Sequence, residues 1–147
     1  MQGEYRTRIV HTTVMRVLVP VLIGVVLGPA CGSVGPSPLA MGVWGGDHIA
    51  MTITESSVHV ELDCAHGDVP GAISIDARNQ FDVVGTFVRE HGGPVREGEV
   101  LDTRPARYTG SLTSSGMTLT IQQTDTSQVI GTFVLVQGAQ GRILKCL

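Results

Sequence analysis

Three histidines stand beside acidic residues and glycines, in Asp47-His48, His66-Gly67-Asp68 and Glu90-His91-Gly92. Imidazole nitrogens suit zinc, and a zinc-bound water brought up by His48, His66 and His91 would make a metal-dependent hydrolase. Their spacings match no ligand motif, and loop histidines commonly face only solvent, so no metal or cofactor is assigned. Ser, His and Asp occur without a nucleophile elbow or any other placed triad, which argues against an enzyme. Arg89 and Arg96 flank Glu90-His91-Gly92-Gly93-Pro94-Val95. Two guanidiniums beside glycines suit a carboxylate or phosphate held through paired N–H donors; the plainer reading is a polar loop with its own weak salt bridges. Trp44, in Gly42-Val43-Trp44-Gly45-Gly46, reads as a plug for one end of a barrel or as an aromatic platform for a ligand. The candidate binding set is therefore Trp44, Asp47, His48, His66, Arg89, His91 and Arg96. His59 is expected to point outward from mid-strand and meet only solvent.

The three cysteines divide by compartment. Residues 17–31 are an apolar run behind Met15-Arg16, closing on Gly28-Pro29-Ala30-Cys31. A basic residue, a short apolar core and small residues make a secretory signal. The run is too short to span a bilayer, which takes about 20 apolar residues. The four residues ending in Cys31 resemble the lipobox of bacterial lipoproteins, with Pro29 atypical and Leu27 one place too far away. The resemblance implies cleavage before Cys31 and acylation of its thiol; cleavage after Ala30 to give a soluble secreted protein is the alternative. Residues 1–14 contain Glu4 and nothing the signal needs, so Met15 is the expected start. Cys64 and Cys146 are then an even pair in an oxidising space, expected as a disulfide rather than a metal or redox pair, since neither has a C-x-x-C neighbour. Such a bridge closes a loop of about 80 residues, worth up to about 4.5 kcal/mol by the chain-entropy model.

The expected domains are a signal peptide over 1–30, a flexible Gly-, Ser- and Pro-rich tether over 31–42, and a folded domain over 43–147. Beyond Ala30 there are seven basic and twelve acidic residues, and no basic stripe, which excludes nucleic acid as a natural partner.

From Val43 onward the apolar period is two, with turn residues at short intervals and no helical stretch. The expected strands are Ile49 to Ile53, Val58 to Cys64, a short Ile73/Ile75 strand, Phe81 to Phe87, Tyr108 to Leu112, Met117 to Ile121, Val129 to Val136 and Arg142 to Leu147. Eight short strands joined by short turns predict an all-β, antiparallel, up-and-down barrel. Pairing Ile49 with Leu62 and Ile53 with Val58 would set His48 against Asp63 and Asp47 against Cys64. Gly85, Gly110 and Gly131 are expected at bends, and Val84-Gly85-Thr86-Phe87-Val88 is echoed in Ile130-Gly131-Thr132-Phe133-Val134. The segments 44–48, 65–70, 89–106 and 124–128 are expected as loops gathered at one end, from which the tether also leaves. Tight turns at 55–57, 77–79, 113–116 and 138–141 are expected at the other.

The segments Gly42-Val43-Trp44-Gly45-Gly46-Asp47-His48-Ile49, Asp63-Cys64-Ala65-His66-Gly67, Gly92-Gly93-Pro94-Val95-Arg96 and Lys145-Cys146-Leu147 resemble a group of uncharacterised secreted bacterial β-barrel proteins or lipoproteins. More loosely, Gly-x-Trp and the repeated Gly-Thr-Phe are similar to lipocalin-like and avidin-like barrels. Neither resemblance implies an activity. The expectation is a cell-envelope lipoprotein, held to the membrane through Cys31 and, if the host is Gram-negative, located in the outer membrane or periplasm. It would bind a small molecule or an envelope partner at its loop-rich end. The alternatives are the hydrolase above and an inhibitor-type module acting through the 89–106 loop.

Overall fold

The computed structural model describes residues 35–94 and 96–146, and the signal segment and Cys31 lie outside them. Ten strands follow in chain order: β1 (Ser37–Pro38), β2 (Gly42–Gly46), β3 (Ile49–Ile53), β4 (Ser57–Leu62), β5 (Ala65–Pro70), β6 (Ser74–Ile75), β7 (Gln80–Arg89), β8 (Asp102–Thr113), β9 (Gly116–Gln123) and β10 (Val129–Gln137). Eight of them form a closed antiparallel barrel in the order β10-β2-β3-β4-β5-β7-β8-β9.

Alternation places one face of each strand inside. Met51, Val58, Val60, Leu119, Ile121 and Leu135 are essentially inaccessible, as is Tyr108, so side chains fill the interior. That is the expected outcome for eight strands, whose lumen is only about one layer of side chains wide. Small positions face rings within this lumen. A Cβ on Gly67 would collide with the Tyr108 hydroxyl, one on Gly110 with the Phe81 ring, and one on Gly131 with the Phe133 ring. These glycines therefore make room for aromatic side chains. Only Gly131 also adjoins the bend that was expected, a register shift between Val129 and Gly131 in the β9–β10 ladder.

Ile49 pairs with Leu62 and Ile53 with Val58, as the alternation implied. Two of the expected strands are not in the wall. Ser74–Ile75 pairs only with Ser37–Pro38, outside the barrel. Residues 142–146 make no ladder; Arg142 alone bridges Asp47, in parallel sense. Two segments expected as loops replace them. β2 contains Gly45 and Gly46, which suggest a loop, but a Cβ at Gly45 would strike the backbone of Ala139, Gln140 and Gly141. Its bareness admits the returning C-terminal tail. β5 reads as a loop because of Gly67 and Pro70. Yet Ala65, Gly67 and Val69 alternate inward, and Pro70 is its last residue, where a missing N–H costs little.

The leader joins the barrel at the end opposite the one expected. Gly42 pairs with Ile53, beside the 54–56 turn, so β2 starts there. Leu39 is buried, and its amide donates to the Ile73 carbonyl at 2.9 Å. Together Leu39, Ile73 and Ile75 close this end, and residues 37–42 of the expected tether are bound to the barrel.

Candidate functional site

The other end is an open mouth, made by the 47–48 turn, the 63–64 turn, the 90–101 loop and the 124–128 loop. Its wall is uneven. Leu135 pairs with Gly46, so residues 129–134 of β10 continue past the end of β2 and pair only with β9. In that notch lies a depression of about 400 Å³ with an apolar floor of Leu62, Ala65, Phe87, Ile130 and Phe133, rimmed by His48, Asp63, Arg89, Glu90 and Gln128. An apolar floor with a few converging polar groups is the usual make-up of a ligand site. A second apolar depression, about 330 Å³ between Leu39, Met41, Ile53 and Ile73, lies at the leader end, with Glu55 the one charged residue on its lining.

Arg89 reaches the mouth by strand alternation. Phe81, Val83, Gly85 and Phe87 form the inward column of β7, and Arg89 is its next member, paired with inward-facing Ala65 and exposed at the rim. Among the described residues its guanidinium has no ion-pair partner.

The rim carboxylates, by contrast, are occupied. Asp63 is 2.6 Å from His48 Nδ1 and accepts the Leu144 amide at 2.9 Å. The Leu144 hydrogen bond, with His48 behind it, holds the Asp63 carboxyl below the usual range. Glu90 accepts from His66 Nδ1 at 2.7 Å and from Lys145 Nζ at 3.1 Å. Burial works against the Glu90 charge, but the contacts from His66 and Lys145 outweigh it and lower its pKa.

A strap holds this rim in place. After the turn at Gly138 the tail runs back along the outside of β2 and β3. The Arg142 amide donates to Gly46 and its carbonyl accepts the His48 amide, both at 2.9 Å. These bonds fix the two-residue turn in which His48 takes a φ of 64°, a left-handed conformation that histidine enters more readily than bulkier residues. Lys145 pairs with Glu61 as well as Glu90, and Cys146 is bonded to Cys64 with Cα atoms 5.3 Å apart. The expected disulfide is therefore present, although the tail reaches Cys64 as a strap rather than as a barrel strand.

The remaining candidates are dispersed. Trp44 is buried in the wall, and its Nε1–H donates to the Ala40 carbonyl at 3.0 Å, toward the closed end. It plugs the barrel and does not line the mouth. Asp47 is exposed and pairs with Arg142 at 3.0 Å. His66 lies on the outer face of β5, not in a loop. His59 also faces outward, but it is bonded to Asp68 and Glu61, each at 2.7 Å, rather than only solvated. Burial opposes its charge, and those two carboxylates more than compensate, raising its pKa. His91 meets Glu99 at 2.6 Å within the 90–101 loop, where Arg96 also lines a separate groove. Arg89 and Arg96 thus form no common anion cradle. His48, His66 and His91 each have a different carboxylate partner, and among the described residues no three metal-binding side chains converge.

Phe87, Ile130 and Phe133 were not among the expected site residues. Their signal was the Gly-Thr-Phe echo, since both of its phenylalanines line the mouth. No protein-family model, curated protein or solved structure matches this chain.

Proposed function

We propose that this chain is an exported, lipid-anchored binding module of the cell envelope, which takes a small molecule into the barrel mouth. The observation that carries the reading is the apolar notch of about 400 Å³ floored by Phe87, Ile130 and Phe133, held open beneath a disulfide-braced rim. A filled barrel needs no such depression for stability, and fixing a rim in advance lowers the ordering cost of binding. The sequence of residues 17–31 supports export and an anchor on Cys31. Such an anchor would tether the end opposite the mouth, leaving the mouth accessible to ligands from the surrounding space.

Amide-shift mapping of the mature domain against a library of small compounds tests the binding reading. Hits should perturb Leu62, Ala65, Phe87, Ile130 and Phe133 together. Hits that map instead to Leu39, Met41 and Ile73, or to the outer wall, would overturn it.

A further inference from the structure

We propose that the ligand of this mouth is a small monoanion with an apolar body, a carboxylate seated on Arg89 with its chain on Phe87, Ile130 and Phe133. The proposal rests on the reading of the mouth as the binding site and adds the chemical class of what enters. Arg89 ends an otherwise apolar inward column, so its guanidinium stands where that column meets water, directly above the phenylalanine floor. Asp63 and Glu90, which face the same depression, already have partners in His48, the Leu144 amide, His66 and Lys145. Among the described residues, Arg89 is the rim charge left to a ligand. A guanidinium matches a carboxylate through two parallel N–H donors, and an apolar floor beside it reduces competition from water. Two carboxylates on the same rim disfavour a second negative charge, so a monoanion is preferred to a phosphate dianion. The cavity lies at the small end of the range for ligand pockets, about 300–1,000 Å³, which suits a short chain.

Octanoate and octan-1-ol, titrated separately into the mature domain and followed by amide shifts, test this in wild type, Arg89→Gln and Arg89→Lys. Octanoate should perturb Ala65, Phe87 and Phe133. Arg89→Gln should weaken octanoate on the order of tenfold and leave octanol unchanged, while Arg89→Lys should recover part of the loss, because a point charge remains without the fork. An unchanged unfolding midpoint in both variants shows that the fold is intact. Equal octanoate affinity in wild type and Arg89→Gln would overturn recognition of the charge. Octanoate shifts elsewhere, or none, would overturn the ligand class; library hits that still map to the mouth would leave the mouth standing as a binding site.

Discussion

The Leu144 amide donates to Asp63 Oδ1 at 2.9 Å across 81 positions of sequence, tying the tail to the rim of the mouth beside Cys64. With the Cys64–Cys146 bridge and the Lys145 pairs it makes the tail a brace for the turn that presents His48.

Cys64→Ser should lower the denaturant midpoint, with a loss of at most about 4.5 kcal/mol by the chain-entropy model for a bridge spanning 82 positions. Hydrogen exchange should rise first in residues 139–146 and in the 47–48 turn. Unchanged protection there would show that the brace does not depend on the bridge.

Stability should fall on both sides of mildly acidic pH. Burial opposes the charge of Glu61, yet contacts from Lys145 and His59 win and lower its pKa from 4.5; Glu90 is lowered likewise. Their contribution is present above about pH 4.5 and is lost as pH falls through the lowered folded values. His59 has the opposite sense. It is raised above 6.5, so its contribution is complete below that pH and is lost as pH rises through the raised value. These groups are partly exposed, and each effect is small. Carbon-detected titration should place His59 above 6.5, Asp68→Asn should bring it down, and Lys145→Met should raise both glutamates. A His59 midpoint at or below 6.5 would contradict the assignment.

Gly67→Ala should destabilise by about 1–3 kcal/mol, the usual range for overpacking a filled core. The new methyl would meet the Tyr108 hydroxyl and also the Thr86 carbonyl oxygen, to which that hydroxyl donates at 2.6 Å. Tyr108→Phe in the same background should restore part of the loss, because it removes the colliding oxygen. A neutral Gly67→Ala midpoint would mean that the interior has slack.

Trp44→Ala should cost about 3–5 kcal/mol by leaving a cavity, and Trp44→Phe should cost less. Neither should move compound binding at the mouth, since the indole is turned toward Ala40. A folded Trp44→Phe protein that loses binding would place the ligand deeper than the mouth.

If Cys31 carries the anchor, radiolabelled palmitate should enter the wild-type protein and be lost in Cys31→Ser. A soluble protein with an unmodified N-terminus beginning at Cys31 would overturn the anchor and leave the mouth untouched.

Alternation by itself determined the fold class, the Ile49–Leu62 and Ile53–Val58 register and, through that register, the His48–Asp63 contact. A two-residue period with one buried face rules out any odd slip, which would turn every apolar side chain outward, and the short turn between Ile53 and Ser57 fixes which of the remaining pairings forms. Cysteine parity pointed to the bridge. The expected number of barrel strands was right although two members were not: residues 73–75 and 142–147 have strand-like composition, while β2 and β5 hide theirs behind glycines. Only tertiary structure decided those cases. Gly45 is bare for the tail's backbone and Gly67 for a tyrosine two strands away across the barrel wall, and neither neighbour is visible locally. The same holds for the site. Arg89 was legible as a candidate anion binder, but its separation from Arg96 depends on the path of the 90–101 loop, the entry of the leader at the opposite end on β2 joining the wall, and its place beside Phe133 on how β10 overshoots β2 when the barrel closes. Closure is a property of all eight strands together, and no single stretch of sequence encodes it.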